Sequence, residues 1–537
     1  MLSAIHRAAE RPGIVAVTRQ ERGTVPSLFI DGEWVPSSSG ACSPIINPSD
    51  GSVVTEVDVA DDIDVQRAIA AARRAFDSTD WPWLPAAERA ALLLRTADLL
   101  ERDRAEIARL ETLNTGKAVR ESEYDVDDVV SVFRYYAGLA DKEAGRLVAT
   151  TDSNAISRIV YEPLGVCGLI APWNYPLLQI SWKVAPALAA GDTMIVKPSQ
   201  LTPLTTIHLV RLLEEAGVPK GVVNLVLGPG NRVGQALADS RDVDLVSFTG
   251  SLAGGQSIMR GAAVNVKRVA LELGGKSPNI VFADADFDIA VDNALTAAFL
   301  HSGQVCSAGC RLIVEDAIHD RFVEELARRA DRIRLGPGVD GATETGALIS
   351  AEHRAKVERY IELGMAEGAR LVTGGSRPDD PGLAAGFYLR PTVFADVTPD
   401  MTIVREEVFG PVVTVERFTT EEEAVRLGND TDYGLAGAVW TADASRAQRV
   451  AGRLRHGTVW INEYNRYLPQ AEWGGFKQSG IGRELGPSGL DEYREAKHIY
   501  QNTAPAPTGW FDGAEPAAAT AVTAAPAESA PAEPMPA

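Results

Sequence analysis

The chain has 537 residues, 45% hydrophobic and 23% charged, and carries a formal net charge of −21. That composition is globular rather than fibrous or disordered, and at roughly 100–200 residues per domain the length implies two to four domains. The acid excess excludes nucleic acid or an anionic membrane as partner, because phosphates must be met by Lys and Arg.

Residues 1–27 form an N-terminal extension whose apolar residues are broken by charges, unlike the continuous apolar core of a signal peptide. The run SLFIDGEWV then places Asp31-Gly32 between apolar stretches, which predicts a tight hairpin. From Asp62 to Ala140, Leu and Ala recur at three- and four-residue spacing, the mark of helices, with Gly116 as a helix stop. Between Leu164 and Gly275 the apolar runs VCGLIAP, TMIVKP, VVNLVLG and LVSFTG alternate with helical stretches such as LTTIHLVRLLEEAG. That alternation predicts parallel βα units with both sheet faces covered. A second alternating region spans 277–462 and includes RLIVED, PTVFADV and TVWIN, so two α/β domains are expected. The last 25 residues hold eleven Ala and five Pro, a disordered tail by composition. Nowhere do about 18 apolar residues run together, so no spanning helix is expected. Four cysteines (Cys42, Cys167, Cys306 and Cys310) are too few for a disulfide framework and lack a second Cys or His pair for a metal site. A reducing cytoplasm suits them.

Several residues have the makings of chemistry. Gly228-Pro-Gly230-Asn-Arg-Val-Gly234 and Phe248-Thr249-Gly250-Ser251-Leu-Ala-Gly254-Gly255 each follow a strand and precede a helix. Glycines there let the backbone approach a pyrophosphate, and a helix start supplies N–H donors; plain βα turns would look the same. Lys197 and Ser199 end the strand TMIVKP and can donate to phosphate or ribose oxygens. Cys306 lies among glycines and polar residues that favour an accessible thiol, although a lone Cys is more often an inert small hydrophobe. Glu272 sits between apolar residues at the end of a strand, where desolvation raises a carboxylate's pKa toward that of a general base; a paired structural carboxylate is the alternative.

Taken in order, Pro172-Trp173-Asn174-Tyr175-Pro176, Lys197-Pro198-Ser199, Phe248-Thr249-Gly250-Ser251, Glu272-Leu-Gly-Gly275-Lys276, Gly303-Gln304-Val-Cys306 and Glu406-Glu407-Val-Phe409-Gly410-Pro411 resemble the NAD(P)-dependent aldehyde dehydrogenase superfamily. The likeness runs from about residue 28 to 502. It implies an α/β fold of two Rossmann-like parallel-sheet domains with a small bridging oligomerisation element: 28–145 and 163–274 bind the dinucleotide, 275–486 are catalytic, 146–162 and 487–502 bridge subunits, and 503–537 are the tail. It further implies Cys306 as nucleophile, Asn174 with the Cys306 N–H as oxyanion donors, and Glu272 as the base that activates water. Trp173, Lys197, Ser199, Gly230, Gly250, Ser251, Glu407 and Phe409 match positions that contact the dinucleotide. A homodimer or homotetramer is implied, without metal. Many NAD-preferring members place Glu where this chain has Gln200; an amide still bonds a ribose hydroxyl and does not repel a 2′-phosphate, so NAD is expected with NADP open.

Tyr175, Trp182 and Trp473 match the aromatic box of betaine aldehyde and aminoaldehyde dehydrogenases, and the run PQAEWGGFKQSGIGRELGPSGLDEYREAKHIYQN resembles the bacterial betaine aldehyde enzymes. Aromatic faces attract quaternary ammonium groups, though packing aromatics share such spacing. Trp182 stands seven residues after Tyr175, two turns along a predicted helix, and Leu300 occupies a position where plant relatives often carry an aromatic. The expected substrate is a cationic small-molecule aldehyde, betaine aldehyde first. A broader ω-aminoaldehyde dehydrogenase, a CoA-acylating enzyme and a non-catalytic relative are the competing readings, and the joint presence of Cys306, Glu272, Asn174 and Lys197 weighs against the last two.

Overall fold

A computed structural model describes residues 25–142 and 145–511. The expected extension up to residue 24 and the tail from 512 onward lie outside the described residues.

The predicted hairpin forms between Leu28–Ile30 and Glu33–Val35, with Ile30 opposite Glu33. Asp31 and Gly32 both take positive φ, 55° and 78°, as a two-residue turn of this hand requires. The helical region resolves into Asp62–Ser78, Ala86–Arg102, Arg104–Thr115 and Val119–Leu139. Asp61 opens the first with a reciprocal cap to Asp64, and Gly116 closes the third at φ 83°.

Five parallel strands run side by side in the order Arg268–Glu272, Leu245–Thr249, Val166–Ile170, Thr193–Lys197 and Val223–Leu225. Gly480–Ile481 extends one edge and the hairpin the other, both antiparallel, giving eight strands. The five central strands are apolar and almost wholly buried, as a sheet covered on both faces demands. The chain builds outward from Val166–Ile170 to Val223–Leu225, then returns to the other side of Val166–Ile170 with Leu245–Thr249. The strand order therefore reverses there, which in open α/β sheets marks the crevice where ligands bind, at the carboxyl ends of the strands.

Residues 273–277 lead directly into a second, seven-stranded sheet ordered Arg370–Thr373, Thr392–Ala395, Val412–Phe418, Arg311–Glu315, Pro278–Val281, Ala436–Trp440 and Thr458–Ile461. All its pairings are parallel except that of Arg370–Thr373 with Thr392–Ala395. A three-stranded sheet joins Arg494–Asn502, Ala155–Pro163 and Arg146–Val148, and residues 145–160 and the described residues from 497 onward form a separate unit. Residues 487–491, expected within the bridging element, lie in a short helix, Gly486–Asp491. No helix among the described residues is long and apolar enough to cross a membrane.

Candidate active site

Four neighbouring strand ends of the first sheet present the residues singled out by sequence. After Ile170 come Trp173, Asn174 and Tyr175; Lys197, Thr249 and Glu272 are themselves the last residues of their strands. Lys197 is buried, its Nζ donating to the Pro198 carbonyl at 3.0 Å, and burial lowers its pKa to about 8. It meets no carboxylate among the described residues, so the crevice offers a cationic donor free for ribose or phosphate oxygens. Ser199 is half-buried and Gln200 exposed just beyond it. Ser251 caps the helix Leu252–Ala262, its Oγ accepting from the Gly254 N–H at 3.2 Å, and Gly230 starts the turn Gly230–Gly234 with open space where a side chain would stand. At Gly250 a Cβ would press into the Phe248 ring. These bare helix starts, with Lys197 beside them, fit a dinucleotide.

Across the crevice, Glu407 accepts from the Gly275 N–H at 3.0 Å, and burial pushes its pKa up to about 7. Gly274 must lack a side chain, because a Cβ there would overlap the Glu407 carboxylate. Phe409 lies edge-on to Trp173 with centroids 5.3 Å apart, and His353 packs against both while its Nε2–H donates to the Phe409 carbonyl at 2.7 Å. His353 is held neutral by burial, its pKa down to about 4.

Cys306 sits ahead of the strand Arg311–Glu315, half-buried. Burial first, then the Glu272 and Glu407 charges, push its thiol up to about 12, while the N–H groups of Ser307 and Cys306 pull the other way. The resting nucleophile is thus a thiol that needs a base. Glu272 is 4% exposed, its Oε2 has no hydrogen-bond partner, and burial together with the Glu484 charge raises its pKa well above the usual carboxylate range. Lys183 and Arg483 oppose that rise. Gly474 leaves room for this carboxylate, since a Cβ there would come within 2.9 Å of Glu272 Oε1. Asn174 Nδ2 donates to the carbonyl of Gln304, two residues before Cys306, at 2.9 Å, which leaves its second amide hydrogen available.

Beside the nucleophile lies an aromatic cluster. Trp182 and Trp473 stand 6.3 Å apart, and both meet Tyr467, at 6.2 and 4.9 Å. Tyr467 shares a 2.6 Å hydrogen bond with Ser307, the residue after Cys306. Sequence reasoning missed Tyr467, which lies in an irregular loop without period. Tyr175, seven residues before Trp182, lies within electrostatic reach of Tyr467. It is the N-cap residue of the helix Pro176–Ala190 rather than part of it, and its ring meets His301 at 5.5 Å and Lys117 Nζ at 3.8 Å. Its hydroxyl donates to Glu121 at 2.6 Å.

A second omission is the acidic face beneath these rings. Glu121, Asp125 and Asp128 recur at four- and three-residue spacing along Val119–Leu139, hence on one face, a pattern readable in the sequence. Lys117 bonds Asp125 at 2.6 Å, and Glu111 lies 3.8 Å from it. Asp128 is itself exposed; partial desolvation by its neighbours, with the Asp125 and Asp127 charges, pushes it up to about 6, and the charges of Asp125 and Asp128 reach the Tyr467 phenol.

The sequence profile of the aldehyde dehydrogenase family matches residues 34–499. The chain belongs to that family. This aldehyde dehydrogenase is 59% identical over 486 residues to betaine aldehyde dehydrogenase of Bacillus subtilis, covering 90% of this chain and 99% of the relative. It is 46% identical over 476 residues to mouse retinal dehydrogenase 2, covering 88% and 91% respectively. A Staphylococcus aureus betaine aldehyde dehydrogenase solved in complex with NAD+ superposes with a TM-score of 0.90 at 52% identity, over 90% of this chain and 97% of that one. The α/β fold expected from the sequence motifs is thus the fold of this family.

Proposed function

We propose that this aldehyde dehydrogenase oxidises a cationic aldehyde, betaine aldehyde first, to its carboxylic acid with NAD. The observation that carries the cationic choice is the aromatic cluster of Trp182, Tyr467 and Trp473 against Ser307, backed by the carboxylates of Asp125 and Asp128. A trimethylammonium group gains about 0.5–2 kcal/mol from each ring face it meets in a desolvated site. The 59% identity to a betaine aldehyde dehydrogenase supports the same substrate.

In this reading the Cys306 thiol gives its proton toward Glu272, and the sulfur adds to the aldehyde carbon to form a thiohemiacetal. The Asn174 amide and the Cys306 N–H stabilise the alkoxide, a donor in such a hole being worth about 3 kcal/mol. NAD, held by Lys197, Ser199, Gly230, Gly250 and Ser251 on one side and by Trp173, Glu407 and Phe409 on the other, supplies when bound the hydride acceptor that turns the thiohemiacetal into a thioester. Once Glu272 has passed that proton to solvent it takes one from water, the hydroxide attacks the thioester carbon, and collapse of the adduct expels the Cys306 sulfur, which recovers its proton from Glu272 as the acid leaves. Burial keeps the Cys306 sulfur protonated at rest, and it raises the proton affinity of the Glu272 carboxylate, which suits that group to act as a base.

We further place the protein in the cytosol, where its four free thiols persist, and assign it a homodimeric or homotetrameric state through 146–162 and the strand near 494–502. Support comes from apolar side chains exposed in that sheet, Leu147 at 79% and Tyr500 at 54%. Rates with betaine aldehyde, 4-aminobutanal and uncharged aldehydes, each with NAD and NADP in parallel, test the proposal. Turnover highest with betaine aldehyde and NAD is expected. A higher rate with uncharged aldehydes would overturn the cationic substrate, and a flat trace with every aldehyde would overturn the catalytic roles.

A further inference from the structure

We propose that Gln304 is a positioning residue for the oxyanion site, holding the Asn174 amide on a frame built by the segment 345–349. This rests on the reading of Asn174 as an alkoxide donor.

The turn that leads to the nucleophile is unusual. His301, Ser302 and Gly303 take φ of 46°, 53° and 70°, three consecutive residues in the left-handed region. Such a run is strained at the two non-glycine residues and persists only when its surroundings over-determine it. At Gly303 even a Cβ is excluded, because it would overlap the Gly410 carbonyl.

The restraint comes from 345–349. Ser302 N–H donates to Thr345 Oγ1 at 2.8 Å, Ser302 Oγ to the Gly346 carbonyl at 2.6 Å, and Thr345 Oγ1 to the Phe299 carbonyl at 3.0 Å. Gln304 is the last fixed point. Its side chain is fully buried: Oε1 accepts from the Ile349 N–H at 2.9 Å, and Nε2 donates to the His301 carbonyl at 3.1 Å and, at 3.5 Å, to that of Ala347. The segment is itself pinned, since a Cβ on Gly346 would overlap the Gly116 carbonyl.

What Gln304 offers the site is its main-chain carbonyl. Asn174 Nδ2 donates to it at 2.9 Å, so one amide hydrogen is spent on orientation and the other is left for the alkoxide. Asn174 follows a strand of the first sheet and Gln304 precedes one of the second. The alkoxide donor is therefore aimed by a residue of the other sheet. Displacing the Gln304 carbonyl releases the amide to rotate, and misplacement by a fraction of an ångström is what preorganised donors are built to prevent.

The experiment compares Gln304→Met, Gln304→Glu, Asn174→Ala and the double variant Gln304→Met/Asn174→Ala. Turnover is measured with aldehyde, and alkylation of Cys306 by iodoacetamide is measured without cofactor; alkylation displaces iodide and develops no oxyanion. Gln304→Met is expected to lower kcat by about tenfold to a hundredfold, short of the loss from deleting a donor outright. Gln304→Glu, which keeps the acceptor for Ile349 N–H but loses both donated bonds, should fall between it and the parent. Alkylation should stay within a few-fold of the parent in both, and the double variant should be no slower than Asn174→Ala alone. A parallel fall in alkylation, or additive losses in the double variant, would overturn the proposal. Should Gln304→Met fail to fold, the same two readouts on Gln304→Glu decide it. An Asn174→Ala variant with unchanged kcat would overturn the underlying reading of Asn174 instead.

Discussion

The two sides of the crevice recognise their partners by different means. On the proposed cofactor side the groups on offer are mostly backbone: helix starts at Gly230 and Ser251, a buried Lys197 at a strand end, and glycines where side chains would collide. On the proposed substrate side they are entirely side chain. Trp182 comes from a helix, Tyr467 and Trp473 from one loop, and the carboxylates of Glu121, Asp125 and Asp128 from another helix. A backbone site requires glycines and strand–turn–helix order in one short stretch, whereas a side-chain cage can be assembled from anywhere in the chain.

That difference can be broken or sharpened by mutation. The largest effect is expected where both sides meet: Cys306→Ala should abolish oxidation of every aldehyde while leaving NAD binding, followed by quenching of tryptophan fluorescence, intact. Asn174→Ala should come next, lowering kcat by about 10²–10³ with a smaller change in KM. Within the cage, Tyr467→Ala and Trp473→Ala should each raise KM for betaine aldehyde about tenfold more than KM for an uncharged aldehyde of the same shape, the loss of one or two ring faces. Equal effects on both substrates would show that these rings only pack.

The acidic face makes the cage sensitive to pH in a stated direction. Burial raises Glu121 to about 7, and partial desolvation with the neighbouring Asp charges raises the exposed Asp128 to about 6, so both gain charge as pH rises through that range. A cation binds better to the ionised form, and KM for betaine aldehyde should fall as pH rises from about 5 to 8 while KM for the uncharged analogue stays flat. Asp128→Asn should flatten the charged substrate's profile. The smallest effect is expected on the cofactor side: Gln200→Glu should lower NADP use relative to NAD by several-fold, read from the ratio of the two kcat/KM values. No change in that ratio would show that this exposed side chain does not govern the choice.

The same contrast explains what was legible before the structure. The hairpin at Asp31-Gly32, the βα alternation and the strand-end positions of Lys197 and Glu272 follow from period and turn chemistry, which are local. Tyr467 and Gln304 are different cases. Tyr467 lies in a loop with no period, and nothing within the chain signals that it will lie against Ser307. Gln304 was quoted in a motif, yet its work is set by the segment 345–349, some forty residues on, through bonds visible only in three dimensions. Tyr175 falls between the two: its place at the start of the helix that carries Trp182 follows from local sequence, while its hydrogen bond to Glu121 does not. The carboxylates of Glu121, Asp125 and Asp128 were legible and simply overlooked, because their spacing matched an exposed helix face as well as a buried one.

The central claim is that the chamber beside Cys306 selects for positive charge. The measurement that tests it most directly is the ratio of kcat/KM for betaine aldehyde to that for 3,3-dimethylbutanal, its uncharged isostere, at neutral pH and low salt. Shape being equal, the account predicts a ratio of at least about tenfold in favour of the cation, from the ring faces and the carboxylates behind them. A ratio of one, or a preference for the uncharged aldehyde, would contradict it.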